Sequence, residues 1–271
     1  MGCEGGYQQI NKTLNVSPFQ EYLDGQLRSL PRLADMQQIS PRVIRILGQN
    51  PGKGTNTYIV GTGHSRLLID TELGVRLPHV LLTHWHGDHV GGVPDLVAKY
   101  PHLTDAIYKQ SPAAGQQTIA DGRVFRIEGA TVRALHSPGH AHDHTCFVLD
   151  EERAMFTGDN LLGHGTSAVE DLGRLMATWR DTMQPQDCGR GYPAHGVVIP
   201  DLRLTLQREL GGKVRRENLV LATVQGIGQA AGPGRRGAVT TGELVLLMHG
   251  RAVGEDVRRL ALEPFTEEVL R

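Results

Sequence analysis

The sequence concentrates possible metal ligands in one short segment, His84-Trp85-His86-Gly87-Asp88-His89. Imidazole nitrogen and carboxylate oxygen are the donors that suit zinc and related divalent ions. Three histidines and an aspartate near a core would cost on the order of several kcal/mol if nothing compensated their polar groups. The segment therefore predicts a metal site rather than an ordinary loop.

Three further candidates lie downstream, and with them the chain supplies about seven ligand contacts, the number that two ions need between them. The predicted metal ligands are His84, His86, Asp88, His89, His140, Asp159 and His195. The first two histidines and His140 form the predicted first site. Asp88, His89 and His195 form the predicted second site. Asp159, which follows a glycine, is placed to bridge both ions.

Two ions roughly 3.5 to 4 Å apart would make hydrolysis the favoured chemistry, because they lower the pKa of a water molecule between them. One ion can also polarise a carbonyl and stabilise the developing oxyanion. Asp88 is the predicted catalytic residue, which binds the second ion and orients the attacking hydroxide. A thiolate leaving group, with a thiol pKa of about 8.5, needs little general-acid assistance.

The remaining histidines carry weaker signals. Four that stand alone are expected to be ordinary surface or core residues, since histidine is intermediate in burial: His64, His79, His102 and His136. Beside His140, the side chains of His142, Asp143 and His144 are expected either to orient ligands or simply to be polar. The same two alternatives hold for His164.

The elements that must position these ligands are short β-rich runs broken by glycine. Strands are predicted at 43–47, 56–60, 67–69, 80–83, 106–108, 124–127, 131–135, 145–149, 154–156 and 191–194. A helix is predicted at 92–100, and another at 168–183, where apolar residues recur three and four apart. We expect an α/β architecture with helices flanking two stacked sheets.

Three regions are predicted along the chain. Residues 1–40 form an N-terminal arm with a helix near 19–30, residues 41–200 form a hydrolase domain, and residues 201–271 form a helical C-terminal domain. Within the last region, helices are predicted at 201–210, 216–229, 241–250 and from 254 onward, with a glycine-rich break at 230–237.

Composition disfavours several classes of protein. The 28 basic and 29 acidic residues nearly cancel, so no electrostatic attraction to nucleic acid is expected. Cys3, Cys146 and Cys188 form no metal pattern or disulfide framework and indicate a reducing compartment. No export signal or stretch approaching ~18 apolar residues is evident, so a cytoplasmic location without membrane spans is predicted.

Four motifs resemble those of the metallo-β-lactamase superfamily: the ligand segment, Ser137-Pro138-Gly139-His140, Thr157-Gly158-Asp159 and Tyr192-Pro193-Ala194-His195. This resemblance implies an αββα sandwich. Within the superfamily, the chain resembles the lactamase-beta-2-like branch at residues 48–52, 54–61 and 162–166 with 170–172. The small C-terminal domain of that branch is winged-helix-like. The similarity runs from about residue 43 to 201 and continues weakly into the helical tail.

Within this branch the chain is most similar to fungal metallo-β-lactamase-type thioesterases, which serve polyketide synthases that lack a releasing domain. The resemblance implies cleavage of a thioester on an acyl carrier protein, giving a free acid such as atrochrysone carboxylic acid. It also implies the carrier protein of a non-reducing polyketide synthase as partner. Two zinc ions are the implied cofactors, although manganese or iron would tolerate the same ligands.

Two departures from the branch pattern are expected to matter. The branch has a longer stretch between its Asn-Pro-Gly and Gly-Thr-Asn-Thr elements, whereas in this chain Lys53 alone separates them. Only nine residues, 71–79, separate two strands expected to run parallel, whereas such a crossover usually takes a dozen or more. We expect an altered local topology or a weakened fold there. The tail ends at Arg271 within the expected third helix, so the predicted winged helix is incomplete.

Other functions compete with thioester hydrolysis. An endoribonuclease of the same branch would need a phosphate-binding surface. Residues 201–271 hold eleven basic and nine acidic residues, and this surplus of two is only a weak signal for phosphate binding. Hydroxyacylglutathione hydrolysis uses the same metal chemistry. A non-catalytic partner or scaffold role draws support from the short 71–79 connection. Lactamase activity is disfavoured because no export signal is evident.

Overall fold

The structure is a computed structural model that describes residues 33–48, 54–70, 78–231, 239–250 and 254–270. The described residues fall into two compact units, 33–206 and 207–270. Four sequence predictions lie outside them, in whole or in large part: the helix near 19–30, the single-residue spacing at Lys53, the connection 71–77 and the glycine-rich break after residue 231.

Two β-sheets form the larger unit. The first has seven strands that neighbour one another in chain order: β1 (Met36–Ser40), β2 (Val43–Leu47), β3 (Asn56–Val60), β4 (Leu67–Ile69), β5 (His79–Leu81), β6 (Ile107–Lys109) and β7 (Gln117–Thr118). The second, in the order β12-β11-β10-β9-β8, has five: β8 (Val124–Ile127), β9 (Ala130–His136), β10 (Thr145–Leu149), β11 (Ala154–Gly158) and β12 (Arg190–Pro193).

Strand directions divide the first sheet in two. The pairs from β1 to β4 are antiparallel, and those from β4 to β7 are parallel. In the second sheet only β11 and β12 are parallel. Strands β4 and β5 pair directly, with Leu67 beside His79 and Leu68 beside Val80, so the short connection between them leaves this parallel pairing in place.

Residues 36–40, which the sequence assigned to the N-terminal arm, form the edge strand β1. Its sequence is polar, and three of its five residues are exposed, so it lacks the alternation of apolar residues that identifies a half-buried strand. Ser40 also links this edge strand to the second sheet, because its hydroxyl donates a hydrogen bond at 2.6 Å to Glu152 in the turn between β10 and β11.

The core of the sandwich lies between the two sheets. Three aromatic rings meet there, those of Tyr58, Phe156 and Tyr192, with centroids 5.1 to 5.8 Å apart. The Tyr58 hydroxyl donates to the carbonyl of Pro193 at 2.7 Å, which satisfies its polar end. These contacts tie β3 of the first sheet to β11 and β12 of the second.

Helices cover the sheets and carry part of the site. In this unit they are α1 (Gly87–Val90), α2 (Val93–Lys99) and α3 (Leu172–Ala177), which continues as a π-helix over Thr178–Met183. Single 3-10 turns occur at Pro101–Leu103, Asp150–Glu152 and Gln184–Gln186. Leu96 of α2 packs on the outer face of the first sheet. Helix α3 begins later than predicted, because the Asp171 side chain caps it by accepting from Arg174 N.

All described elements after residue 206 are helical: α4 (Leu202–Ala231), α5 (Thr241–His249), α6 (Glu255–Val257), a π-helix (Arg258–Leu262) and α7 (Glu263–Leu270). The predicted stop at 210 and restart at 216 are wrong, because α4 runs through Gly211 and Gly212. Each glycine costs a helix only about 1 kcal/mol. The winged-helix assignment stays a prediction. No helix in the described part of the chain combines the length and apolar character that a membrane crossing requires.

Candidate metal centre

The predicted ligands lie where strands of both sheets end. His84 and His86 follow β5, Asp159 follows β11, and His195 follows β12. His140 lies in the loop between β9 and β10. Because β4, β5 and β6 are parallel, as are β11 and β12, their carboxyl ends meet at one edge of the sandwich. The fold thus brings segments that are more than 100 residues apart into one site.

The first group comprises His84, His86, His140 and Asp159, each of which is buried and offers one ligand atom within 4.8 Å of the others. His84 Nε2 lies 2.8 Å from His86 Nδ1 and 3.2 Å from His140 Nε2. His140 Nε2 lies 3.0 Å from His86 Nδ1. Three ring nitrogens therefore point at a common position.

The second group comprises Asp88, His89 and His195. Oδ2 of Asp88 lies 3.2 Å from His195 Nε2 and 3.5 Å from His89 Nε2. Thr55 Oγ1 also donates to this oxygen at 3.2 Å. Asp88 differs from the other predicted ligands in its exposure, since 37% of its side chain is accessible. It therefore stands at the open side of the site.

Asp159 faces both groups. Its Oδ2 lies 3.5 Å from His140 Nε2 in the first group. Its Oδ1 lies 3.6 Å from His89 Nε2 and 3.4 Å from His195 Nε2 in the second. This Oδ1 is buried and accepts no hydrogen bond, so it has lone pairs to offer a cation.

The geometry of the first group fits a divalent ion. Nitrogen ligands about 2.0 to 2.1 Å from a tetrahedral ion stand roughly 3.3 Å apart. The three nitrogen–nitrogen distances, 2.8 to 3.2 Å, approach that spacing. Imidazole and carboxylate donors are also the ligand types that zinc and its neighbours take. The four residues of this group are therefore suited to a divalent metal ion.

Burial keeps the three histidines of the first group neutral. It lowers the pKa of His86 to about 3 and the pKa of His84 well below its ordinary value, and the neighbouring imidazoles add to both effects. Burial likewise lowers the pKa of His140, against the opposing influence of Asp159. A neutral imidazole is the form that binds metals.

The second group is charged. Although burial lowers the pKa of His89, the carboxylates of Asp70 and Asp159 raise it overall to well above its ordinary value. Burial also lowers the pKa of His195, but Asp159 and Asp88 outweigh this effect and raise the pKa to about 10. The pKa of Asp159 is lowered by the same two imidazoles, despite burial. Protons on His89 and His195 therefore balance the carboxylates when no cation is bound.

We expect metal uptake at pH 7 to release about two protons per chain, because a cation must replace the protons on His89 and His195. Since a raised pKa keeps His195 protonated up to about pH 10, metal affinity should rise with pH across that range. A pH-stat titration with a divalent salt measures the release. His195→Gln should release about one proton fewer, whereas His102→Gln, at an exposed histidine, should not differ from the parent. Uptake without proton release would contradict the assignment.

Asp70 belongs to the site, although the sequence analysis did not identify it. Its Oδ2 accepts a hydrogen bond from His89 Nδ1 at 3.0 Å, and its Oδ1 accepts from the Thr83 backbone at 3.0 Å. Its φ of 57° is a left-handed conformation that aspartate tolerates better than most residues. The available signal was an aspartate directly after the buried strand β4.

Replacing Asp70 with asparagine should weaken metal binding at the second group by about 10 to 100-fold, because the carboxylate that orients His89 is lost. Asparagine keeps the size and tolerates the left-handed backbone. Competition with a chromophoric chelator measures the affinity. Asp105→Asn, at an exposed aspartate, is the matched control. Equal affinities in the two variants would show that Asp70 does not orient the ligand.

The residues beside His140 fall into two kinds. His144 Nε2 accepts from the backbone N–H of Asp159 at 3.1 Å, and Ser137 Oγ lies 3.1 Å from its Nδ1, so His144 holds the Asp159 turn. Asp143 is buried in an ion pair with Lys109 at 2.7 Å. His142 is exposed and lies 3.3 Å from Glu170.

Other contacts orient the ligand segment itself. The Asp143 carboxylate accepts from the Trp85 backbone at 3.3 Å, and Glu170 accepts from the Trp85 indole at 3.1 Å. Ser167 Oγ lies 2.7 Å from His140 Nδ1. Of the lone histidines, His79 packs its ring against Phe125, as an ordinary partly buried residue does.

Comparison with solved structures confirms the predicted fold class. A β-lactamase domain protein from Burkholderia ambifaria superposes with a TM-score of 0.62 over 89% of this chain and 90% of its own, at 15% identity. A metallo-β-lactamase family protein from Thermus thermophilus gives 0.54 over 88% of this chain and 94% of its own, at 19% identity. No family model matches the chain.

Curated relatives match nearly the whole chain. An atrochrysone carboxyl ACP thioesterase from Aspergillus aculeatus is 58% identical over 99% of this chain and 92% of its own length. Its counterpart from Emericella nidulans is 56% identical over 99% and 90%. A lactamase-like protein from Pestalotiopsis fici is 57% identical over 99% and 91%. The first alignment spans 288 positions, so at least 17 of them have no counterpart among these 271 residues.

Proposed function

Because the chain belongs to the same family as the fungal atrochrysone carboxyl ACP thioesterases, we propose that it hydrolyses the thioester of a polyketide carried on an acyl carrier protein and releases the free acid. The observation that carries the proposal is the meeting of two ligand groups, with Asp159 facing both, at one edge of a metallo-β-lactamase fold. A fold of this kind supports several reactions, so the support for this substrate class comes from the relatives' names.

Two divalent ions, for which we propose zinc, would bind at the two groups, with Asp159 between them. Zinc is favoured over manganese because the first group presents three nitrogen donors at nearly tetrahedral spacing, whereas oxygen-rich sites suit manganese. When bound, such ions lower the pKa of a water molecule and polarise the carbonyl of a thioester.

Asp88 is the proposed catalytic residue. It is the exposed member of the ligand set, and its Oδ2 is held by Thr55 and His195, each at 3.2 Å. A carboxylate held in this way can accept a hydrogen bond from the attacking water and direct its oxygen toward the acyl carbon. The pKa of Asp88 lies far below its ordinary value, since hydrogen bonds from His195 and His89 outweigh the effect of burial, so the acceptor stays ionised.

Cleavage of the thioester itself needs no further proton donor from the protein. The water oxygen forms a bond to the acyl carbon, and the carbon–sulfur bond breaks. The sulfur leaves with the bonding electron pair as a thiolate, since its conjugate acid has a pKa of about 8.5. Asp88 stays ionised and orients the water by accepting its hydrogen bond, and the proton that the water loses passes to solvent at the exposed side of the site.

The proposed partner is the carrier protein of a non-reducing polyketide synthase. The support is that several relatives bear names that specify an ACP thioester. A thioester of glutathione presents the same reacting atoms to the site, so hydroxyacylglutathione hydrolysis is the alternative that shares its chemistry.

The test compares three substrates with metal-loaded protein: a polyketide on its carrier protein, an acyl-glutathione and single-stranded RNA. Mass spectrometry of products should show the free acid from the carrier protein, at a kcat/KM at least about tenfold above that for acyl-glutathione. His86→Ala should abolish release, and His102→Ala, at an exposed histidine, should not. Preference for acyl-glutathione or RNA would overturn the proposed substrate.

A further inference from the structure

A cavity lined by arginines lies at the end of the sandwich opposite the candidate metal centre. Its volume is about 650 Å³. Arg153 precedes β11, whose far end leads to Asp159, and Arg190 begins β12, whose far end leads to His195. Strands of four to five residues rise about 3.3 Å per residue, so roughly 15 Å of sheet separates the cavity from the metal ligands.

The cavity is lined by four guanidinium groups and two carboxylates: Arg42, Arg153, Arg190, Arg203, Glu152 and Asp187. The carboxylate oxygens of Glu152 accept hydrogen bonds from hydroxyl groups, that of Ser40 at 2.6 Å and that of Tyr192 at 2.8 Å. Neither bond brings in a positive charge. Glu152 is therefore held as part of the wall that joins the two sheets.

Asp187 lies between two of the arginines. Its carboxylate accepts hydrogen bonds from both Arg153 and Arg203. One negative charge thus fixes two guanidinium groups in place. Asp187 itself adopts a left-handed conformation, with φ of 51°, at the end of a 3-10 turn, which points its side chain between them.

The other two arginines have no such partner. Within the described residues, neither Arg42 nor Arg190 forms an ion pair with a carboxylate. Arg42 Nε donates to the carbonyl of Gly129 at 2.8 Å, which orients the group without neutralising it. Four positive and two negative charges leave the cavity with a surplus of two positive charges.

We propose that this cavity binds a small polyanion that carries two phosphate or carboxylate groups. Ligand sites of small molecules have volumes of roughly 300 to 1,000 Å³, and this cavity falls within that range. Arginine forms bidentate, charge-assisted hydrogen bonds with phosphate and carboxylate. Two guanidinium groups that Asp187 fixes, beside two that form no close ion pair within the described residues, match an anion with two charged ends.

The experiment is isothermal titration of the metal-loaded protein with inorganic pyrophosphate and, separately, with malonate. Binding to the cavity should be lost or at least about tenfold weaker in Arg42→Gln/Arg190→Gln. The matched control is Arg126→Gln/Arg174→Gln, which removes the same charge from exposed arginines outside the cavity. Binding by pyrophosphate alone would assign phosphate chemistry, and binding by malonate alone carboxylate chemistry.

Two further variants show whether the anion binds in the cavity and whether the charge of the cavity controls binding. His86→Ala perturbs the metal centre and should leave cavity binding unchanged, which excludes anion binding to the metals. Asp187→Asn tolerates the same left-handed backbone, keeps an oxygen that can accept from Arg153 and Arg203, and removes one negative charge from the cavity, so it should tighten binding by several-fold. Equal weakening in both double variants, or weaker binding in Asp187→Asn, would overturn the proposal, as would the absence of binding by either anion.

Discussion

Asp159→Asn is expected to lower turnover by about 10³-fold or more, equivalent to about 4 kcal/mol of transition-state stabilisation. Asp159 is the residue that faces both ligand groups, and its two oxygens lie 3.4 to 3.6 Å from ring nitrogens of His89, His140 and His195. An amide supplies one oxygen and no charge, so it cannot serve both positions. We therefore expect fewer than two ions per chain in this variant.

Elemental analysis of dialysed protein, together with initial rates on a carrier-protein thioester, measures both effects. Asp105→Asn changes an exposed aspartate and should retain full metal content and activity. Metal content equal to that of the parent together with unimpaired turnover would show that Asp159 does not link the two groups.

Gly139→Ala is expected to destabilise the fold by about 3 kcal/mol or more. Gly139 has φ of 141°, and a Cβ there would lie 2.4 Å from Cα of Leu175 and 2.6 Å from its backbone nitrogen. Its carbonyl accepts from Asp171 N at 3.0 Å, so the loop that bears His140 is packed directly on the start of helix α3. The methyl group must push these backbones apart and move His140.

Denaturant unfolding measures this change, and Gly122→Ala provides the control. Gly122 also has a positive φ, of 74°, but a Cβ added there would meet no atom within 4 Å. Gly122→Ala should lower the free energy of unfolding only by the conformational strain, about 1 to 2 kcal/mol. If the two substitutions had equal effects, close packing between the His140 loop and α3 would not be what constrains this glycine.

Much of the candidate metal centre was predictable because its strongest signal is local. Three ligand histidines and Asp88 occupy six consecutive residues, and the apolar run before them identifies a buried strand. Within that segment the spacing alone separates the residues of the two groups. His140, Asp159 and His195 were predicted as candidate ligands, and each lies in a short motif that resembles a known family.

The contacts that orient the ligands were less predictable, because they depend on tertiary structure. Asp70 meets His89 only after β4 and β5 pair in parallel. Lys109, at the end of β6, meets Asp143 from the loop after β9, and no sequence pattern relates the two. The arginines of the cavity at the opposite end likewise come from separate segments that only the sandwich brings together.

Errors in the fold arose where local rules were outweighed. The pair Gly211 and Gly212 predicted a helix end, but long flanking runs of helix-forming residues keep α4 continuous. Strand β1 was missed because an edge strand with exposed side chains needs no apolar alternation. The altered topology or weakened fold expected at the short connection after Asp70 stays a prediction, because residues 71–77 lie outside the described part of the chain; β4 and β5 on either side of it pair in parallel, as expected.

Anomalous X-ray diffraction at the zinc absorption edge, from crystals of the zinc-loaded protein, tests the central claim most directly. The account predicts two anomalous peaks, one among His84, His86 and His140 and the other among Asp88, His89 and His195, with Asp159 between them. A single peak, or peaks remote from these side chains, would contradict it.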